Sequence, residues 1–268
     1  MVTTLGPPVS ELSFDGSEPS ASSHINNTSS RPRPDCHTYK FRSGNPFGLP
    51  KYEKGMTTLG FSYKMGAIIA VEHSNKSSTF PPNVVNLTSH MLATISGGHE
   101  ILLENLQKKC QQHELEEGRR TKIAEALQWL REILCAYGEE DLEIGMLIAV
   151  WDEMDETERG VYRMNGKGEL LTEGESFLAT GCGTVGAVLA FEYVMMPYMD
   201  KVITTSEAAD LAKIAICIDS YTAPESGDRV SVYLLDSNGC VELLNDDIIE
   251  WQDQNIEAPR CKYEYVGP

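Results

Sequence analysis

Apolar positions recur with a regular period only from Thr57 onward; before it they are sparse and aperiodic. Thr57 to Tyr63 and Gly66 to Val71 are two β-rich runs separated by Lys64 and Met65, a pattern that predicts a hairpin. His90 to Ser96 predicts a third strand, closed by Gly97 and Gly98. Ile101, Leu102, Leu106 and Leu115 fall at helical spacing between His99 and about Gly118. Ile123, Leu127, Leu130 and Leu134 mark one side of a second helix, Thr121 to Tyr137. Ile144 to Val150 is an apolar run that fits a strand covered on both faces. Val161 to Met164 and Glu169 to Thr172 flank an Asn165–Gly168 turn and predict another hairpin. Phe177 to Thr180 extends the sheet into Gly181-Cys182-Gly183. Two more helices are expected, roughly Thr184 to Met195 and Ser206 to Tyr221, the latter opening on Ser206, Glu207 and Asp210. Val230 to Leu235 and Val241 to Leu244 surround Asp236-Ser237-Asn238-Gly239 as a last hairpin, and the chain after Asp247 is polar.

The order is strands, two helices, strands, two helices, strands. Strands that meet in hairpins give mostly antiparallel sheets, so the expected class is α+β in a single domain. Residues 1–55 carry Ser17 to Ser23 and Asn26 to Pro34, stretches too poor in apolar groups to offset the entropy of ordering; this region is expected to be disordered. The domain then covers 56–250, and 251–268 is a polar tail.

Composition narrows the function. The 268 residues are 41% hydrophobic, enough for a sizeable core, and carry a net charge of -18. That balance argues against a surface that tracks nucleic-acid phosphates. No 18-residue apolar run is present, and the first residues lack the basic and apolar regions of a signal peptide. Seven cysteines without a Cys-x-x-Cys pair point to reduced thiols, hence cytoplasm or nucleus. Six histidines without a His-x-x-x-His pair give no metal signature, and no cofactor motif is present.

Several segments occur in a telling order: Lys54-Gly55-Met56-Thr57-Thr58-Leu59-Gly60-Phe61, Ile95-Ser96-Gly97-Gly98, Gly145 to Asp152, Gly160-Val161-Tyr162 with Asn165-Gly166, Ala179 to Thr184, Ala208 to Ala212, and Ser226-Gly227. From Gly55 to about Asp247 the chain resembles 20S proteasome beta subunits, most closely the catalytic class with chymotrypsin-like specificity. The resemblance implies a four-layer αββα sandwich, the N-terminal-nucleophile hydrolase fold, assembled with other alpha and beta subunits into stacked seven-membered rings. In active members a threonine after the glycine becomes the new N-terminus and attacks a peptide carbonyl, using its own amine as base. Here Gly55–Met56 is the processing junction, and Met56 occupies the threonine's place. A thioether has no proton to lose.

The other family positions follow the same resemblance. The supporting aspartate falls on Glu72 and the buried lysine on Asn83, an amide that carries no charge. The serine of the Gly-Ser-Gly turn falls on Cys182, an aspartate on Ala223, and a later serine is kept as Ser226. Gly97 keeps the position whose amide serves as an oxyanion donor. Substrate-pocket positions fall on Asn75, Ile95 and His99.

The expectation is a non-catalytic beta-type subunit that completes a ring in ubiquitin-dependent protein breakdown and keeps residues 1–55. Two other readings stay open at the level of sequence. One is an active threonine endopeptidase with an unusual start, for which Thr57 is the candidate nucleophile; strand alternation places Thr57 opposite to Met56. The other is a proteasome-like protein outside the complex. Cys182 is either a replacement nucleophile or a small packing residue, with packing preferred.

Overall fold

Side-chain alternation along the strands sorts the apolar residues into three cores. The computed structural model describes residues 53–74, 81, 83–138, 142–153, 155–171, 177–198, 201–221, 223 and 226–256. Among these, nine strands form two sheets. The first has the order β7 (Phe177–Thr180), β1 (Thr58–Tyr63), β2 (Gly66–His73), β8 (Arg229–Asp236), β9 (Gly239–Asp247). The second has the order β3 (Val84–Thr88), β4 (Met91–Ser96), β5 (Gly145–Val150), β6 (Gly160–Asn165). All the strand pairs in these ladders are antiparallel.

The pleat decides which core each residue joins. On β2, Ile68 and Ala70 face helices α3 (Thr184–Met195) and α4 (Thr205–Asp219), whereas Ala67, Ile69 and Val71 face the other sheet. On β5, Met146, Ile148 and Val150 face helices α1 (Ile101–Glu117) and α2 (Ile123–Tyr137), whereas Leu147 and Ala149 join Ile69 and Tyr233 between the sheets. Helix pair, sheet, sheet, helix pair is therefore the layer order, an αββα sandwich with one apolar core at each of three interfaces.

Five features differ from the sequence expectation. β3 was not expected: five residues on a sheet edge behind Pro81 carry too little alternation to register. α5 (Ile248–Asn255) forms within the polar tail, because Asp247 caps it by accepting from Glu250 N–H and Gln252 reaches the Cys217 carbonyl at 2.8 Å. α4 is capped by Thr204, not Ser206, through a capping box with Glu207. The hairpin after Val161 is reduced, among described residues, to a bridge between Met164 and Leu170. On α1 the buried face is Leu102, Leu103, Leu106 and Cys110; Ile101 (44% exposed) and Leu115 (86% exposed) fall on the opposite side of the helical turn. Residues 1–52 and 257–268, with the disorder and tail expectations that fall on them, lie outside the described residues.

Candidate functional site

β1 opens one residue after Thr57, and the pleat that sends Leu59 and Phe61 toward α3 and α4 sends Thr57 the same way. Its hydroxyl meets Asp219, the last residue of α4, donating to Oδ2 at 2.9 Å. The Gly183 N–H, at the start of α3, donates to the same hydroxyl oxygen at 3.1 Å. Thr57 is fully buried, and its nitrogen lies in a peptide bond that donates to Glu72 Oε2 at 2.9 Å. A hydroxyl so held has no access to a substrate carbonyl, and an amide has no free lone pair to act as base.

Glu72 organises the floor of this region. Besides Thr57 N–H, its carboxyl takes the Ser220 hydroxyl at 2.6 Å and the Gly227 N–H at 2.9 Å, all on Oε1 apart from Thr57. Burial pushes the Glu72 carboxyl above its usual range, against the pull of these donors. Asp219 is raised as well, to about 7, first by burial and further by the charge of Glu72, with the Thr57 hydroxyl opposing. Two acids thus share one buried threonine. Asp219 is seated against glycine: a side chain on Gly183 or Gly186 would run into its carboxyl.

An acid with a higher pKa in the folded chain holds its proton more tightly when folded. Folding stability from Asp219 therefore declines as pH rises from about 4, the unfolded value, to about 7, and stays level above. Asp219→Asn is expected to raise the melting temperature of the full chain relative to the wild type at pH 8. The gain should shrink as pH falls below 6. Thermal melts of both proteins from pH 5 to pH 8 check this; a difference independent of pH contradicts it.

Met56 itself is half-buried and follows a short run threaded through the protein. Lys54 N–H donates to the Glu143 carbonyl at 2.8 Å, and Cys182 N–H donates to the Gly55 carbonyl at 2.9 Å. Gly55 has φ +82, and a side chain there would strike the Gly97 backbone; a side chain at Gly181, φ +96, would strike the Met56 carbonyl. Glycine is required on both walls of this passage.

The remaining sequence-derived positions are placed as follows. Gly97 stands beside Gly55, and Cys182 contacts Gly55 through its amide. Asn83 is half-buried, its carbonyl accepting from Ile95 N–H at 3.0 Å. Ala223 is half-buried and Ser226 exposed, in the stretch that follows α4. Ile95 is buried in the core under α1 and α2. His99 has φ +69 and meets the Tyr137 hydroxyl at 3.2 Å. Asn75 lies outside the described residues. The sequence reading missed Asp219, Ser220, Glu53 and Arg163. Asp219 left one signal, an acid at the end of the apolar run Ile214 to Ile218.

A serine, a histidine and a carboxylate also meet elsewhere. His73 Nε2 lies 3.0 Å from Ser231 Oγ, whose hydroxyl donates to Glu242 at 2.8 Å. The order is wrong for a nucleophile, since the serine is spent on the acid and is fully buried. This is a strut between β2, β8 and β9. No group of three metal-ligating side chains stands together among the described residues.

The family model described as "Proteasome subunit" matches residues 52–235. The chain is 32% identical over 210 residues to "Proteasome subunit beta type-5" of Spinacia oleracea, covering 75% of this chain and 73% of that one. It is 30% identical over 209 residues to "Proteasome subunit beta type-5-A" of Arabidopsis thaliana, covering 75% and 73%. It is 26% identical over 212 residues to "Proteasome subunit beta type-8" of Homo sapiens, covering 76% and 74%.

Proposed function

The chain belongs to the proteasome subunit family as a beta-type subunit of the core, and we propose that it is a non-catalytic one, contributing to ring assembly in ubiquitin-dependent protein breakdown in the cytoplasm and nucleus. The observation that carries this reading is the state of the two candidate nucleophiles. Met56 offers a thioether, and Thr57, the hydroxyl that immediately follows it, is fully buried between Asp219 and Gly183. The losses around it agree: an amide at Asn83 and a methyl at Ala223 supply neither the field nor the proton acceptor that the family resemblance calls for.

Its contribution is then surface rather than chemistry. The three intact cores hold the αββα frame, and the helix pair α1–α2 with the hairpin tips would meet neighbouring alpha and beta subunits of the rings. Loss of the nucleophile also removes self-processing, so the segment before Met56 stays attached.

The test is purification of the tagged full chain from its native cells followed by size fractionation. Co-elution with other alpha and beta subunits at the size of the core particle supports the proposal. Elution as a small species contradicts it.

A further inference from the structure

The residues ahead of Met56 are held by more than backbone. Glu53 Oε1 accepts from Arg163 Nη2 on β6 at 3.0 Å, and Glu53 Oε2 accepts from the Gly181 N–H at 3.2 Å. The floor beneath the carboxylate is Gly145 on β5, where a Cβ would occupy the space the carboxylate fills. The Glu53 side chain is only 11% exposed, which shelters the pair from solvent screening. One residue on, Lys54 Nζ pairs with Glu143 at 2.7 Å.

We propose that Arg163, the Gly181 amide and the glycine floor at Gly145 form a built binding site for an acidic peptide side chain, occupied in this chain by its own Glu53. The inference deepens the reading that the segment before Met56 is retained, and rests on it. The chemistry follows from the donors. A planar guanidinium and a backbone N–H, one on each oxygen, match the two oxygens of a carboxylate. The neighbouring Glu143 selects a basic residue next, and Gly55 must follow because its positive φ and the Gly97 backbone leave no room for a side chain. The site thus reads acidic, basic, glycine, in that order, and Glu53-Lys54-Gly55 satisfies it in cis. A peptide approaching from outside would have to displace this segment before it could lie beside Met56.

The Lys54–Gly55 bond gives a direct readout, because trypsin cuts after lysine only where the chain can leave its seat. In the full-length protein this bond is expected to resist trypsin under native conditions. Glu53→Ala is expected to accelerate its cleavage roughly tenfold or more, the size expected on losing a charge-assisted contact. Glu53 precedes the core, so this variant leaves folding intact, which a thermal melt verifies. Arg163→Met should accelerate the same cut by a similar factor, and the double variant should cut no faster than either single one. Cleavage at Lys54 as slow in Glu53→Ala as in the wild type overturns the proposal. Effects that multiply in the double variant also overturn it, since Arg163 would then act without Glu53. Both outcomes leave the ring-subunit reading untouched, which only fractionation and the native N-terminus decide.

Discussion

Glu72→Ala is expected to lower the melting temperature of the full chain by roughly 10 °C, from a loss of about 3–5 kcal/mol. Glu72 is fully buried and is the acceptor for Thr57 N–H, Gly227 N–H and the Ser220 hydroxyl. Alanine leaves the buried Thr57 N–H and the half-buried Gly227 N–H without their acceptor, and each buried orphan costs about 1–3 kcal/mol. Ser220 suffers less, because the Ile216 carbonyl lies 2.8 Å from its hydroxyl. The truncation also opens a cavity between β2 and α4. Glu72→Gln keeps one oxygen and the volume, so it should lose less than half as much. A change below about 2 °C for the alanine variant, where about 2–4 °C accompanies each kcal/mol in a domain of this size, contradicts the account of Glu72 as a structural keystone.

Met56→Thr is expected not to create a peptidase. The substitution restores a hydroxyl at the junction but none of its activation. Peptide hydrolysis should stay on the order of a thousandfold or more below that of an active subunit, the scale of a missing general base with its charge support. One element for self-cleavage is in place, since Cys182 N–H already donates to the Gly55 carbonyl. Polarising that carbonyl is insufficient while Asn83 supplies an uncharged amide and the segment is seated by Glu53 and Lys54. Intact mass and hydrolysis of a fluorogenic peptide with an apolar residue at the cut check this. A chain that cuts itself between residues 55 and 56, with turnover, means that Met56 alone keeps the site silent.

What could be read from the sequence divides along physical lines. Ile144 to Val150 was legible because a strand covered on both faces must be apolar throughout, and Gly66 to Val71 as the β-rich arm of a hairpin; the fold puts alternate residues of each into two cores. The side of the strand on which Thr57 falls was legible from the pleat; its full burial was not. Val84–Thr88 was not, since a five-residue edge strand has little to alternate against, and Ile248–Asn255 owes its helix to a cap and a single glutamine contact. The polar contacts at the junction were beyond reach for a different reason. Asp219 meets Thr57 across 162 residues and Arg163 meets Glu53 across 110, and no local pattern announces a pair so far apart. The four-layer order itself came from resemblance, because periodicity shows which faces are apolar but not which face meets which.

The measurement that bears most directly on the central claim is the intact mass of the chain released from purified native complexes after treatment with a threonine-directed covalent inhibitor. The account predicts an N-terminus upstream of Glu53 and no inhibitor adduct on this chain, while active beta subunits in the same sample carry one. An N-terminus at residue 56 or 57 bearing the adduct would contradict it.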